Sequence, residues 1–171
     1  MKTTRFVLSV AVMSLIVYTS SDAQFPQQWM GDWKGTMHIY KSGKVVDSVG
    51  VTHTVKPAAD AGSYVWKTEY HSTKMPVIKD YMLRTKDAAK GIYVIDECVG
   101  LELKSYLMCN RLLSMFEVGG VLLTANYELQ GNTLVFEVTS SRKDSATGGG
   151  VTNYAVTTLQ RVVLKRILGE Q

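Results

Sequence analysis

The stretch Trp29-Met30-Gly31-Asp32-Trp33-Lys34-Gly35 decides the fold predicted for this chain. Beyond Gly31 the residues alternate between a small or apolar set and a polar set, and this period of two predicts a half-buried β-strand. A Gly-x-Trp sequence at the start of the first strand indicates a small antiparallel barrel whose closed end is filled by an indole. Such barrels usually hold something in their interior.

The same alternation recurs along nearly the whole chain, interrupted by turn sequences such as Ser42-Gly43, Gly119-Gly120 and Gln130-Gly131-Asn132. We therefore predict an all-β fold of about ten antiparallel strands between residues 33 and 164. Consecutive hairpins favour a single up-and-down barrel, because closure removes exposed strand edges, and a sandwich is the alternative. No segment has a convincing amphipathic helical pattern, and at most a short helical turn is expected in residues 25–30 or in a loop.

Residues 1–23 have the features of a secretory signal peptide. Two basic residues precede an apolar run of 13 residues, 6–18, and Ser21-Asp22-Ala23 is a small-x-small cleavage site. Thirteen helical residues span about 20 Å, short of a hydrocarbon core of ~30 Å, so a membrane anchor is the weaker alternative. We expect an exported protein, periplasmic or secreted, whose folded domain occupies residues 24–171.

The charge pattern does not indicate a nucleic-acid-binding protein. The chain has 19 Lys and Arg against 15 Asp and Glu, a net charge of +4, and its basic residues are scattered rather than collected in a stripe. No later stretch has the length and hydropathy of a membrane-spanning helix. The expected partner is a small apolar or amphipathic molecule, and the sequence leaves the oligomeric state open.

The two cysteines, Cys98 and Cys109, are candidates for a disulfide in an exported protein. A bridge closing so short a loop stabilises by ~3 kcal/mol in the chain-entropy model. The alternative is two buried thiols. If residues 99–108 form one straight strand, the two sulfurs lie at opposite ends of the sheet.

No catalytic or metal-binding motif is recognisable. The three histidines, His38, His53 and His71, lack the spacing of a metal site, and the adjacent Asp96 and Glu97 point to opposite faces of a strand. His53 shares a face with three valines and is predicted to point inward. It is either a satisfied core or lumen histidine or a ligand-contacting, acid–base group.

With Gly31-Asp32-Trp33 at the start of the first strand, the chain resembles the calycins, which include lipocalins, fatty-acid-binding proteins and nitrobindin-like domains. Tyr93-Val94-Ile95-Asp96-Glu97 and Ser114-Met115-Phe116-Glu117-Val118 also resemble stretches of bacterial lipocalin-like domains. The resemblance covers most of the chain after the export signal. It implies a lipocalin-like barrel that holds a ligand.

In lipocalins an arginine of the last strand packs over the tryptophan of the Gly-x-Trp motif. The resemblance gives this structural role to Arg161, beside Gly31 and Trp33, and a guanidinium over an indole contributes ~0.5–2 kcal/mol. The alternative is that Arg161 is an ordinary exposed residue near Lys165 and Arg166.

The nitrobindin-like branch implies haem held by a late histidine, and here the sequence departs from it. No histidine follows His71, and Thr157-Thr158-Leu159-Gln160-Arg161 offers no axial ligand. We therefore expect no haem, unless His53 serves in a different geometry, and we predict no cofactor.

Aromatic side chains recur on the predicted inner faces of several strands. A barrel of ten strands is somewhat too wide to be filled entirely by side chains, so an apolar cavity with polar Tyr and Trp groups is expected. The residues predicted to bind the ligand are Trp66, Tyr64, Tyr70, His53, Phe116, Tyr127 and Phe136.

These features favour an exported binding protein for a small apolar or amphipathic ligand. The second hypothesis is a cavity-based enzyme, for instance an isomerase, cyclase or hydratase, in which His53 and a tyrosine act as acid–base groups. The third is a structural or interaction module with a fully packed interior.

Overall fold

The protein, analysed as a computed structural model, is described over residues 25–74, 76–144 and 149–167. The predicted export signal, residues 1–23, lies outside the described residues. In chain order the strands are β1 (Gly31–Lys41), β2 (Lys44–Pro57), β3 (Ser63–His71), β4 (Val77–Asp87), β5 (Ile92–Asp96), β6 (Glu102–Met108), β7 (Arg111–Val118), β8 (Val121–Gln130), β9 (Thr133–Lys143) and β10 (Tyr154–Arg166). Two short 3₁₀ turns, Gln27–Trp29 and Ala88–Lys90, complete the elements.

Each strand pairs antiparallel with the strand before it, and β10 pairs with β1, so the sheet closes into a ten-stranded barrel. The prediction of a single up-and-down barrel is therefore confirmed. None of the helical turns in the described part of the chain is long and apolar enough to cross a membrane.

The up-and-down order places the connections at two opposite ends. The segment before β1 and the β2–β3, β4–β5, β6–β7 and β8–β9 connections lie at one end, called here the closed end. The other connections, beginning with Ser42-Gly43 between β1 and β2, lie at the open end. Each strand therefore runs from one end to the other, with half of its residues in the closed half of the barrel and half in the open half.

The closed half is filled by aromatic side chains. Trp29, Trp33 and Trp66 are all buried with at most 2 % exposure. Phe25 inserts beside them, with its ring centroid 4.9 Å from that of Trp29 and 4.8 Å from that of Tyr93. The prediction of an indole at the closed end is confirmed, and the segment before β1 adds a second one.

The arginine that covers Trp33 is Arg166, so the assignment of this role to Arg161 is wrong. Arg166 lies directly across from Trp33 in the β1–β10 ladder, and its guanidinium carbon is 4.2 Å from the indole centroid. It also donates to the carbonyl oxygens of Met30 and, at 2.8 Å, of Gln28. It therefore ties the segment before β1 to the last strand.

The sequence predicted that Arg161 and its alternate neighbours on β10 point into the barrel. In the structure this face of β10 is the outer one, so Arg161 lies on the surface. Val162, Leu164 and Arg166 point inward, whereas Arg161 is exposed, pairs across from His38 and forms an ion pair with Glu137 at 2.8 Å. Apolar residues occupy both faces of this strand, so hydrophobicity alone does not identify its inner face. The ladder between β9 and β10 is also irregular near Val156.

Two glycines of β1 permit the close approach of β10. Gly31 has a φ of +126°, and a Cβ atom there would lie 3.0 Å from Arg166 Nη1. A Cβ atom at Gly35 would lie 2.5 Å from the Val163 carbonyl oxygen, closer than packed atoms allow. The structural role predicted for Gly31 thus agrees with its contact to the arginine that covers Trp33.

The two cysteines are free and exposed, so the prediction of a disulfide is wrong. Cys98 lies at the open end just after β5, and Cys109 lies at the closed end just after β6. The 7 residues of β6 separate them, a span of about 23 Å, whereas bridged Cα atoms lie within ~7 Å of each other. The straight strand between them is the physical reason.

Candidate functional site

The open half of the barrel contains a cavity of about 390 Å³ that opens between the loops. Its walls come from the inward-facing residues of β3 to β9, and most of them are apolar or aromatic. The lining residues are Thr68, Tyr70, Lys79, Tyr81, Ile95, Glu97, Leu101, Leu103, Ser114, Phe116, Val118, Leu123, Ala125, Tyr127, Phe136 and Val138.

Two stacked rings form much of the cavity floor. The rings of Tyr127 and Phe136, from neighbouring strands, lie 4.1 Å apart with an angle of 8° between their planes. Below them the Trp66 ring lies 5.1 Å from Tyr127, and the His53 ring lies 4.8 Å from Trp66. This aromatic layer separates the cavity from the packed closed half.

His53 is a buried, neutral histidine beneath the floor. Its Nδ1 lies 2.9 Å from the Thr68 hydroxyl oxygen, and its Nε2 has no hydrogen-bond partner in the described structure. Burial lowers the pKa of His53 from its ordinary value of 6.5 to about 3, although the Lys67 backbone raises it in part. The imidazole therefore carries no charge at neutral pH.

Hydroxyl groups supply most of the polarity inside the cavity. Ser114 lies 2.7 Å from the Ser105 hydroxyl, so these two satisfy each other. Burial raises the pKa of Tyr70 to about 12 and raises the pKa of Tyr127 still further, although Trp66 and Thr68 lower the latter in part. Both tyrosines are thus neutral hydroxyl groups at physiological pH.

Charged side chains reach the cavity only near its mouth, as far as the described lining residues show. The Lys79 ammonium lies 5.6 Å from the centroid of the Tyr81 ring, and its hydrogen bond to Tyr81 together with the charge of Glu97 raises its pKa. Burial raises the pKa of Tyr81. The Lys79 ammonium and the Glu97 carboxylate therefore lie on either side of the Tyr81 phenol, and their formal charges sum to zero.

Exposed apolar side chains surround this mouth. Val99 and Leu101 precede β6, and Val118 ends β7 beside the Gly119-Gly120 hairpin. Val99 is 81 % exposed, an unusual position for a valine in a folded domain. These side chains give the mouth of the cavity an apolar rim.

The structure brings together four of the seven predicted ligand-binding residues, Tyr70, Phe116, Tyr127 and Phe136, as cavity lining. Trp66 and His53 belong to the layer beneath the floor and do not line the cavity. Tyr64 lies in the closed half, where its hydroxyl is 3.4 Å from the Gln27 amide nitrogen. Three of the seven predicted residues therefore lie deeper in the barrel than the cavity, and the ligand-binding role of all seven stays a prediction.

Sequence reasoning missed the polar members of the lining. Thr68 shares its strand face with Trp66 and Tyr70, so its inward direction was available from the alternation. Lys79 and Tyr81 alternate with Ile78 and Asp80 on β4, and that mixed pattern gives no preference for either face. For those two residues only the closed ladder identifies the inner face.

A metal site or haem finds little support in the donor groups. No group of three His, Cys, Asp or Glu side chains comes together among the residues that the structure describes. His53 lies under the aromatic layer with its Nδ1 at hydrogen-bond distance from Thr68, a poor position for an axial ligand of a group held in the cavity.

No family model and no curated protein matches this chain in sequence. Solved structures share its fold, among them a protein of unknown function from the DUF3598 family of Nostoc punctiforme, with a TM-score of 0.57 and 14 % identity, covering 81 % of this chain and 47 % of that one. Another is the S-type phycobiliprotein lyase of Guillardia theta, with a TM-score of 0.58 and 9 % identity, covering 82 % of this chain and 89 % of that one.

The chain spans about half the length of the Nostoc protein. At identities of 14 % and 9 % the similarity is one of fold alone. The shared ten-stranded antiparallel barrel is consistent with a calycin-like fold.

Proposed function

We propose that this protein is an exported binding protein that holds a small apolar or amphipathic molecule in the open half of its barrel. The observation that carries the proposal is the asymmetry of the interior. One half is filled by buried tryptophans, and the other contains a cavity of about 390 Å³ lined by apolar and aromatic side chains.

The size and chemistry of the cavity are those of a small-molecule site. Ligand pockets of roughly 300–1,000 Å³ have mostly apolar walls and a few placed polar groups. Here Phe116, Tyr127 and Phe136 offer aromatic surface, and Tyr70 and Thr68 offer hydroxyl groups. Apolar ligand surface buried against such walls contributes about 25 cal/mol per Å² before the costs of binding.

Export rests on the sequence of residues 1–23 and remains part of the proposal. The mass of the protein purified from its own host provides a test, because cleavage after Ala23 leaves Gln24 as the first residue. A retained N-terminal segment would contradict export by cleavage. Native mass spectrometry of the same sample also detects a retained ligand.

A cavity-based enzyme is the second candidate, since one fold neighbour is named a lyase. The acid–base role considered for His53 is weakened by two observations. Its ring lies beneath Tyr127, and a pKa of about 3 makes it a poor proton acceptor at neutral pH. The cavity likewise disfavours a fully packed structural module.

Binding of the apolar fluorescent probe N-phenyl-1-naphthylamine tests the proposed function. We expect saturable binding with energy transfer from tryptophan, and about tenfold weaker affinity in Tyr70→Ala and Phe116→Ala, whose side chains line the cavity. Tyr40→Ala, at a tyrosine that does not line the cavity, is the matched control with unchanged affinity. Absent binding, or equal affinity in all three variants, would contradict the proposal.

A further inference from the structure

The geometry points to a neutral, oxygen-bearing apolar molecule as the ligand, whose acceptor oxygen sits at the cavity floor against the hydroxyl groups of Thr68 and Tyr127, with His53 as the positioning residue. This inference rests on the proposed function and deepens it. The proposed function leaves the chemical class of the ligand open, and the inference names that class and the residues that recognise it.

The first step is the distribution of charge. Lys79 and Glu97 are the charged members of the cavity lining in the described chain, they have opposite signs, and both lie near the mouth. The floor has only hydroxyl and aromatic groups, and His53 beneath it is neutral. A carboxylate at the floor would be desolvated without a counter-cation, which costs several kcal/mol.

The second step is the arrangement of hydrogen-bond donors at the floor. Thr68 and Tyr127 each carry one hydroxyl hydrogen, Trp66 carries an indole N–H, and neutral His53 carries one N–H. Each hydroxyl oxygen has two lone pairs to accept with, and the Tyr127 hydroxyl has Trp66 and Thr68 as hydrogen-bonding neighbours. His53 Nε2 is buried without a partner in the described structure and lies beneath the floor, where a ligand in the cavity does not reach it. With Trp66 and Thr68 as donors to its oxygen, the Tyr127 hydroxyl keeps its own hydrogen for an acceptor oxygen in the cavity, which Tyr127 lines.

The third step is the direction of the Thr68 hydroxyl hydrogen. A proton on His53 Nε2 would leave a buried N–H donor unpaired, which is rarer and costlier than an unpaired acceptor. The favoured tautomer therefore has its proton on Nδ1 and donates to Thr68 Oγ1 at 2.9 Å. Because that oxygen then accepts from His53, the Thr68 hydroxyl hydrogen is left to donate to the Tyr127 hydroxyl oxygen, its neighbour at the cavity floor.

Ser114 provides the internal contrast. Its hydroxyl also lines the cavity, but it lies 2.7 Å from the Ser105 hydroxyl and is already paired. Thr68 and Ser114 are thus two inward hydroxyl groups of similar size, but Thr68 belongs to the hydrogen-bonded chain of His53 and Tyr127, whereas Ser114 belongs to a separate pair with Ser105. Only the first is assigned to ligand recognition.

Three naphthalene probes of one shape test the inference. They carry a 2-dimethylamino group and, at position 6, a propionyl ketone, a propyl chain or a carboxylate. We expect wild-type protein to bind the ketone about tenfold more tightly than either of the others, with the red-shifted emission of a hydrogen-bonded carbonyl. Equal affinity for ketone and propyl probe, or tighter binding of the carboxylate, would overturn the inference while leaving the binding function standing. Absence of binding by all three would contradict both.

Variants then assign the residues. Thr68→Val, which keeps the shape of the side chain, should abolish the preference for the ketone, measured as the ratio of ketone to propyl affinity in the same variant, and Tyr127→Phe should do the same. Ser114→Ala is the matched control and should retain it. An undiminished preference in both Thr68→Val and Tyr127→Phe would overturn the assignment.

The positioning role of His53 has its own readout. ¹⁵N NMR of the imidazole should show a neutral ring protonated at Nδ1, and the ketone preference should survive in His53→Gln, whose amide can donate to Thr68, but not in His53→Leu. A proton on Nε2, or equal preference in the two variants, would remove His53 from the proposal without affecting the propyl-probe measurement.

Discussion

The closed and open halves of this barrel are built from the same ten strands but differ in what fills them. In the closed half Trp29, Trp33 and Trp66 leave almost no exposed surface, whereas in the open half Tyr70 and Phe116 remain partly exposed around a cavity of about 390 Å³. The strands pair through both halves, and each half has at least one irregular ladder position, near Val156 in the open half and near Asp87 in the closed half. Side-chain volume rather than strand pairing therefore determines which half of this barrel is packed and which half contains a cavity.

The segment before β1 is the main cause of this difference. Phe25 and Trp29 insert beneath the barrel, and the Trp33 indole N–H donates to the Trp29 carbonyl oxygen at 2.9 Å. Arg166 holds two further carbonyl oxygens of the same segment. Among the described residues, the loops of the open end place no comparable pair of aromatic rings inside, so the closed half is packed and the open half contains the cavity.

The largest expected effect is that of removing the Trp33 side chain. Trp33→Ala should lower the free energy of unfolding by about 3–5 kcal/mol, because it empties a fully buried site and uncovers Arg166. Phe116→Ala, in the open half, is the matched variant and should cost about 1 kcal/mol while weakening probe binding. Urea denaturation measures both, and equal costs would show that the two halves do not differ in packing.

The buried imidazole at the boundary of the halves should make the protein sensitive to acid. Since the pKa of His53 is about 3 in the folded state and 6.5 when exposed, only the unfolded state gains its proton between pH 6.5 and 3. The free energy of unfolding should therefore fall by up to about 1.4 kcal/mol per pH unit as the pH drops through that window, and the contribution is fully present above pH 6.5.

His53→Gln removes this dependence and should give a flatter plot of unfolding free energy against pH from 6.5 downwards. His38→Gln, at an exposed histidine on the outer surface, is the control and should retain the wild-type slope. Carboxylates with lowered pKa values, such as Asp32, contribute equally in all three proteins. Parallel plots for wild type and His53→Gln would show that His53 is not buried as described.

The two arginines of β10 separate the closed end from the outer surface. Arg166→Ala should destabilise by about 2–3 kcal/mol, because it removes the contact with Trp33 and two hydrogen bonds to carbonyl oxygens. Arg161→Ala removes an exposed ion pair with Glu137 and should cost no more than about 1 kcal/mol. The midpoints of thermal unfolding of the two variants measure this difference. A lower midpoint for Arg161→Ala than for Arg166→Ala would contradict the assignment of Arg166 as the arginine that covers Trp33.

The smallest expected effect concerns the thiols, one at each end. Cys98 and Cys109 should both react with a thiol reagent in the native, unreduced protein, and Cys98→Ser and Cys109→Ser should each remove one equivalent. Reductant should leave the midpoint of thermal unfolding unchanged. Thiols that react only after reduction would instead indicate the bridge that the structure excludes.

The strand pattern was predictable because alternation is a local property. Trp33, Gly35, Met37 and Ile39 follow the period of two, and so do Val51 and His53 on β2, whose inward direction the structure confirms. The pattern fails on β10, where Leu159 and Val163 compete with Val162 and Leu164 for the inner face. There the pairing of Arg166 with Trp33 decides, and that pairing joins the last strand to the first.

The depth of each inward side chain was not predictable from the same pattern. Alternation identifies Tyr64, Trp66, Thr68 and Tyr70 as one face of β3, yet the first lies in the closed half and the last lines the cavity. The height of a residue along the barrel axis depends on the register of every ladder between β1 and β10. It also depends on where the segment before β1 inserts.

By itself the sequence determined that the chain forms an all-β barrel of about ten strands with a tryptophan at one end, because alternation and turn residues act over a few neighbouring positions. Only the tertiary structure decided that Arg166 rather than Arg161 covers Trp33, that the cysteines lie at opposite ends, and that Thr68 rather than Tyr64 reaches the cavity. These outcomes depend on ladder register and barrel closure, which sum small displacements over many strands and leave no local trace in the order of the residues.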